Sequence, residues 1–449
     1  MNTITTDMVV QLLGIKVYAV SGNEHYIPCP VCGRRDRKCS YNPTKGSGYW
    51  QCFCASCGAH GGAVDLYMAA KGMDDSEGNY RQAVHEILDG TGASDYVPKE
   101  YKPEPVVEVQ KVDSRETAKS YGRMLSCLPL KEEHKADLLR RGLTEQDISD
   151  FGFRSAPENG YELCRKMAEK GPVKTTGVPG FCKGAYDRNT CAGVQRSGYL
   201  CPVYYPVKIA SDRPSAEILK NLPEGVRAVN TGKSIYLCAV TGFQKRVDDP
   251  GSGSKYIWFS SAGRKGGCGS GAQCTVLKGS TKGIVVVTEG ILKATVTYCL
   301  LGRRITVVGV PGVKSIKGMT KVLKNGGIIR KGDVVFECFD MDKEQMCPEA
   351  VREAYDSRDA EDADMSIDAF TVHLKKKQEG IKKDQKKILS VLDGNCRKVI
   401  SAHWDTVKGS GVNGKPYIWN GRYKGIDDML LVKGMPDVFI KWMQVKAEE

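Results

Sequence analysis

Gly283-Ile-Val-Val-Val-Thr-Glu289-Gly290 is a short β-branched apolar run ending in a carboxylate, the pattern of a strand buried on both faces of a parallel sheet. Ile291, Leu292, Ala294, Thr295, Val296, Cys299, Leu300 and Leu301 fit the buried face of a following helix, and Gly302 is placed to end it. Arg304-Ile-Thr-Val-Val-Gly-Val310 reads as a second strand. Ser315 to Asn325 then reads as a helix followed by Gly326-Gly327, and Asp333-Val-Val-Phe-Glu-Cys-Phe339 as a third strand. The order is β-α-β-α-β with connections long enough for crossovers. Parallel strands with helices on their faces are therefore expected.

Ligands of such sheets bind beyond the carboxyl ends of the strands. Glu289 stands at one such end and Asp340-Met-Asp342 at another. Two acids two residues apart project together from an extended backbone, where repulsion makes them costly without a cation between them. With no His or Cys nearby, the set suits Mg²⁺, and paired metals of that kind serve in-line displacement at phosphorus. Glu289 taken alone is equally well explained as a solvated cap; the three acids together are not.

The chain is long enough, at 449 residues, for two or three domains. Lys plus Arg outnumber Asp plus Glu by 66 to 53, and the net charge of +13 favours a polyanionic partner. No apolar run approaches the length of a membrane span, and Met1-Asn-Thr-Ile-Thr-Thr-Asp lacks the basic start and apolar core of a signal peptide. A cytoplasmic protein with no membrane partner is expected. In that compartment eighteen cysteines are metal ligands or small buried hydrophobes, not disulfides.

Spacing separates those two classes. Cys29-Pro-Val-Cys32-Gly33 and Cys54-Ala-Ser-Cys57-Gly58 form a pair of CxxC knuckles, the arrangement that holds structural Zn²⁺ tetrahedrally. Cys39, Cys52, His25 and His60 are expected to be bystanders. Arg34, Arg35, Arg37 and Lys38 lie near Tyr41, Tyr49 and Trp50; this is either a charged, stacking surface for a single strand or a solvated basic loop over packed aromatics. Helices are expected at Thr6 to Gly14 and Ala63 to Lys71.

Several of these motifs resemble one family. Glu289-Gly290-x-x-Lys293 after a hydrophobic strand, with Asp340-x-Asp342 after a later one, resembles the TOPRIM domain of bacterial DnaG-type primases, topoisomerases and some nucleases. The resemblance implies that Glu289 works near the reacting phosphate and that Asp340 and Asp342 hold divalent metals. It also implies that Lys293 contacts phosphate or nucleotide, as in mobile-element and phage primases. The second knuckle, followed by Gly61-Gly62 and an acidic-aliphatic helix start, resembles the zinc-binding domain of DnaG-type primases, which helps engage single-stranded template. That family often has His at one ligand position where this chain has Cys, a change zinc tolerates.

Between Gly90 and about Val112, Pro98, Pro103 and Pro105 stiffen a linker. Beyond it, helices are expected at Ala118–Leu125, Lys131–Arg141 and from a Thr144 cap. After Pro157 the pattern becomes short strands and glycine turns: Gly198 to Val207, Ile235 to Gln244 and Lys255 to Phe259. Lys245-Arg246 and Lys255-Tyr256-Ile-Trp258 resemble the basic subdomain that precedes TOPRIM in these primases. This implies phosphate contacts from Arg246 and Lys255, with Tyr256 or Trp258 as a base platform or as core. Arg264 and Lys265, in a glycine-rich loop, suit phosphate or nucleotide. Asn230-Thr-Gly-Lys-Ser234 imitates the tail of a Walker A loop, but Arg227 replaces the required glycine and no clear strand precedes it. Unwinding is therefore expected from a separate helicase.

After Asp342 comes a charged, mostly helical insertion whose lysine-rich part, Leu374 to Lys387, either lies along phosphates or is simply solvated. Arg397 to Asp405 reads as a strand, and Lys424-Gly-Ile-Asp427-Asp428 resembles the closing portion of primase TOPRIM domains, where a further carboxylate joins the metals. Asp427, Asp428 and Asp405 are all candidates for it. The expectation is a multi-domain α/β protein. It comprises a zinc-ribbon-type domain (1–90), a linker (91–112), a mixed α+β basic subdomain (113–282), a Rossmann-like TOPRIM domain (283–433, insertion about 343–395) and a terminal helix (434–449). The resemblance covers roughly 25–66 and 198–431. It implies a DNA primase of phage, plasmid or integrative elements, a nucleotidyltransferase that binds single-stranded DNA and nucleoside triphosphates with Mg²⁺ or Mn²⁺. A TOPRIM nuclease and a non-catalytic single-strand-binding adaptor are the rivals.

Overall fold

The computed structural model describes residues 4–44, 48–53, 57, 59–74, 76–92, 109–184, 188–192, 194, 196–207, 214–250, 254–312, 315–324, 327–357 and 365–449. Cys54, the linker over 93–108 and Asn325-Gly326 lie outside them. The chain divides into two compact units. One comprises 1–130, 154–200 and 243–270; the other comprises 131–153, 201–242 and 271–449.

The second unit is built on a five-stranded sheet in the order Thr275–Leu277, Thr306–Val310, Ile284–Glu289, Val334–Glu337, Lys398–Ser401. The last four strands are mutually parallel, with Val287 opposite Val308, Val286 opposite Phe336, and Phe336 opposite Ile400. The crossover helices are Ile291–Leu300 and Ile316–Lys324, so the β-α-β-α-β order is as expected. Thr275–Leu277 adds an antiparallel edge. Period-2 alternation divides the valines between two covered faces. Val285, Val287, Val308, Val310 and Val335 meet Met319, Val322, Ile388 and Leu392, the last two from the long helix Ile367–Leu392. On the other face Phe336 meets Trp442 of the helix Met435–Glu448, ring centroids 5.3 Å apart. Each fully buried valine stabilises by about 1.5–3 kcal/mol, which favours this register over any one-residue slip.

The expected Thr144 cap forms: its Oγ accepts from Asp147 N at 3.0 Å, and Asp147 in return accepts from Thr144 N at 2.9 Å. Arg303, at positive φ just past the first crossover helix, reaches the same small helix Glu145–Phe151, with Nη2 2.6 Å from Asp147 and 2.7 Å from Asp150. Burial raises the Asp147 pKa, but the Arg303 and Thr144 hydrogen bonds outweigh it and leave the carboxyl below its ordinary value of 3.8. The stability it adds is therefore complete above about pH 3.8 and is lost as pH falls through the depressed native value. Arg303→Ala strands two carboxylates and should cost about 3–5 kcal/mol in urea unfolding at pH 7. The deficit should shrink on acidification. A loss under about 1 kcal/mol, or one independent of pH, would show the pair to be incidental.

A strand does precede the Walker-like segment, against expectation: Val226–Asn230 pairs antiparallel with Ile235–Val247. Thr231–Ser234 is thus a hairpin turn rather than a strand-to-helix loop, with Ser234 N donating to Thr231 Oγ1 at 3.0 Å. A phosphate cradle needs the helix that is missing there.

The first unit holds a five-stranded antiparallel meander of strands two or three residues long: Ala19–Ser21, Glu24–Tyr26, Cys39–Tyr41, Trp50–Cys52 and His60–Gly61. Ile27, Tyr41, Trp50, Leu66 and Ile87 form its core with the helices Thr6–Leu12, Ala63–Lys71 and Glu77–Thr91. The third helix was not expected. Gly160–Glu169 is a further unexpected helix, at the start of the stretch that reads as short strands and glycine turns: Asn159 caps it by accepting from Glu162 N at 2.9 Å, and Tyr161, Leu163, Cys164 and Met167 bury one face.

Candidate active site

Glu289 ends its strand, and Gly290, at φ 93°, turns the chain directly into the helix carrying Lys293 in its first turn. Left-handed backbone of this kind favours glycine. The neighbouring strand Val334–Glu337 leads to Asp340 and to a 3-10 turn, Met341–Lys343, that carries Asp342. Met341 N donates to Lys424 O at 2.8 Å, bringing the Lys424-Gly425 segment against this turn. Gly425 starts the helix Ile426–Leu430, and a Cβ there would stand 2.2 Å from Asp427 Oδ1 and 2.9 Å from Lys293 Nζ. A larger residue would push those two side chains out of their present positions.

The carboxylates are laced together by lysines. Lys293 Nζ donates to Asp340 Oδ1. Lys424 Nζ lies 2.7 Å from Asp342 Oδ2 and 3.8 Å from Asp340 Oδ2, and its side chain remains 50% exposed. Burial, then the Asp340 charge, pushes the Glu289 carboxyl above its ordinary range, with Lys293 pulling the other way. Asp427 is raised likewise, by burial first and then by Asp428 and Asp340, against Lys293. For Lys293 burial is the largest influence and acts to lower its pKa, yet Asp340, Asp427 and Glu289 together hold it raised. Lys424 is raised against burial by Asp342 and Asp340.

The three remaining candidates separate by contact. Asp427 Oδ1 is buried without a hydrogen-bond partner, whereas Asp428 is occupied as a cap, accepting from Gly425 N at 2.9 Å. Asp405 organises its own loop, accepting from Arg422 N at 2.9 Å. Glu289, Asp340, Asp342 and Asp427 thus share one electrostatic neighbourhood with one orphaned acceptor, although no three of them bring ligand oxygens within 4.8 Å of one another. This donor chemistry fits Mg²⁺ or Mn²⁺ retaining several waters on one or two carboxylates. Sequence reasoning alone assigns Lys424 no role; its signal is its place two residues before the Ile-Asp-Asp of the closing motif.

In the first unit, Cys29, Cys32, Cys52 and Cys57 bring their Sγ atoms within 4.8 Å of one another, the only such set of three or more ligand groups among the described residues. Cys29 to Cys57 is 3.7 Å and Cys32 to Cys52 is 3.9 Å. A tetrahedron of Zn–S bonds about 2.3 Å long has edges of about 3.8 Å, so the cluster fits zinc. Cys52, expected as a bystander, therefore stands with three of the expected ligands. It comes from the strand Trp50–Cys52, directly across from Cys39. The Cys29 thiol is pushed up to about 12, chiefly by the adjacent Cys39 and by burial, against the Cys57 hydrogen bond.

The expected basic contacts also lie in the first unit. Arg246 and Tyr256 face each other across paired strands, the guanidinium 5.7 Å from the ring centroid. Lys255 and Lys265 are exposed, while Trp258 is half-buried. Arg264 is held in an ion pair with Asp74, whose side chain is only 3% exposed, and burial lowers the arginine pKa. Its guanidinium is oriented by this partner rather than displayed freely in the loop.

No protein-family model matches the chain, and no curated protein matches it in sequence. Among solved structures it is similar to the zinc-binding and RNA polymerase domains of the Aquifex aeolicus primase, at 13% identity and TM-score 0.37, covering 98% of this chain and 85% of that one. It is also similar to the RNA polymerase domain of Mycobacterium tuberculosis primase DnaG in complex with a DNA oligomer, at 14% identity and TM-score 0.32, over 63% and 84% of the two chains. A third is the primase fragment of the bacteriophage T7 primase-helicase protein, at 13% identity and TM-score 0.22, over 82% and 99%. Among the described residues no helix is long and apolar enough to cross a membrane.

Proposed function

We propose that the chain is a DNA primase of the phage, plasmid or integrative-element kind, joining nucleoside triphosphates on single-stranded DNA with release of pyrophosphate. The observation that carries this reading is the convergence of Glu289, Asp340 and Asp427 on Lys293, with Asp342 paired to Lys424 beside them, beyond the ends of parallel strands. A zinc-fitting thiol cluster in the same chain supports it. In this reading 283–433 is a TOPRIM domain and 113–282 the basic subdomain, with 1–90 the zinc domain and 91–112 its linker. Arg246, Lys255, Arg264 and Lys265 contact phosphates, and a separate helicase opens the duplex.

Asp340 and Asp342 would hold Mg²⁺ or Mn²⁺, with Asp427 or Asp428 completing the set, and the bound metal would stabilise charge building on the α-phosphate. Glu289, its carboxyl raised by burial and by the Asp340 charge, is suited to take the proton of an attacking 3′-hydroxyl. Lys293 fixes Asp340, and Lys424 presents an exposed ammonium beside both aspartates for a triphosphate. Zinc would be held by Cys29, Cys32 and Cys57, with Cys52 or Cys54 as the fourth thiolate.

The test is incubation of end-labelled single-stranded DNA with nucleoside triphosphates and Mg²⁺ or Mn²⁺. New short oligonucleotides with an intact template are expected. Template shortening would replace the reading with a nuclease, and binding without either product would leave an adaptor.

A further inference from the structure

Two charges next to the site are fully buried and take no part in the chemistry above: Glu337, the last residue of its strand, and Lys343, the last of the 3-10 turn, each side chain 0% exposed. They bracket the Asp340-Met-Asp342 turn. Every polar atom of the pair is matched. Glu337 Oε1 accepts from Phe339 N at 2.7 Å and Lys343 Nζ at 2.9 Å. Its Oε2 accepts from Lys343 Nζ at 3.0 Å and Gln385 Nε2 at 2.8 Å. The third lysine hydrogen goes to Ala402 O at 3.1 Å.

Gln385 belongs to the long helix Ile367–Leu392 in the charged insertion. On the same helical face, at i, i+4 and i+7 spacing, Gln378 donates to Lys343 O at 3.3 Å and Lys382 to Glu344 at 2.8 Å. One face of the insertion helix thus grips both ends of the turn. A buried ion pair is a poor source of stability, since apolar residues of similar volume are often neutral or better in its place. What it supplies here is a single fixed geometry for the five residues between the paired charges.

We propose that Glu337, Lys343 and Gln385 are positioning residues that clamp the Asp340-Met-Asp342 turn in metal-binding geometry, making the charged insertion a brace for the catalytic site. The inference rests on the reading of Asp340 and Asp342 as metal ligands. Outer-shell groups that orient ligands are worth about 10–100-fold in metal affinity.

The experiment measures Mn²⁺ binding to the zinc-loaded full chain by the electron paramagnetic resonance of free Mn²⁺, beside thermal melting. Glu337→Leu/Lys343→Met, which leaves Phe339 N, Gln385 Nε2 and Ala402 O without their side-chain partners, should bind Mn²⁺ at least about 10-fold more weakly in the fraction that stays folded. Gln385→Leu should weaken binding by about 3–10-fold with the fold intact. Folded variants that bind Mn²⁺ within about twofold of wild type would overturn the clamp, and if the double variant does not fold, Gln385→Leu alone decides it. Should wild type bind Mn²⁺ no better than Asp340→Asn/Asp342→Asn, the metal-site reading itself fails and takes the clamp with it.

Discussion

Asp340→Asn should leave the protein folded and able to bind single-stranded DNA, yet reduce nucleotide joining by at least about 10³-fold, on the order of 4 kcal/mol of transition-state stabilisation. The substitution preserves shape and removes the charge. Among the described residues Asp340 is the one carboxylate paired with both lysines, through Oδ1 to Lys293 and Oδ2 toward Lys424, so its neutralisation would remove a proposed metal ligand and free Lys293, while Lys424 keeps Asp342. Relief of repulsion on Glu289 and Asp427 offsets part of what Lys293 loses with its charged partner, so the variant should stay folded. A variant that melts early would attribute the loss to unfolding; one that folds and still joins nucleotides at the wild-type rate would sink the assignment of Asp340.

Cys57→Ser should strip the bound zinc and unfold the meander around it. The strands there are two or three residues long, too short to hold together without a cross-link, and structural zinc contributes about 10–16 kcal/mol in small domains. Elemental analysis of the purified variant should show zinc near background, and limited proteolysis should cut within residues 4–92 while the second unit survives. Zinc retained at the wild-type level would contradict the ligand set. Cys52→Ser beside Cys54→Ser identifies the fourth thiolate, because only the true ligand behaves like Cys57.

The parallel core was legible because its strands are valine runs with no polar alternation, a pattern that burial on both faces alone produces. Gly302 did end the first crossover helix, at φ 63°. The meander was illegible for the opposite reason: strands of two or three residues cannot display a period, and the cysteines fix them instead. Gly160–Glu169 was hidden by a glycine at its first position and by nearby strand signals, although its Asn159 cap was there to be read. The acids at the strand ends were legible as candidates, but the different contacts of Asp405, Asp427 and Asp428 are ones no spacing encodes. The same holds for Glu337 and Lys343. A buried charge and a solvated one look alike in sequence, and the Gln385 and Ala402 partners lie 48 and 59 residues away. One signal was available: a glutamate inside the apolar run Val334-Val-Phe-Glu-Cys-Phe339 must have a partner if that run is a buried strand.

The central claim, template-directed nucleotide joining at this carboxylate cluster, is tested most directly by sequencing the products made on a single-stranded DNA of defined sequence. Wild type and Asp340→Asn/Asp342→Asn are run side by side with ribo- and deoxynucleoside triphosphates and Mg²⁺ or Mn²⁺. Short products complementary to the template from wild type, and none from the double variant, are the expected result. Complementary products from both proteins would place the chemistry elsewhere in the chain, and a shortened template with no new strand would make the cluster a nuclease site.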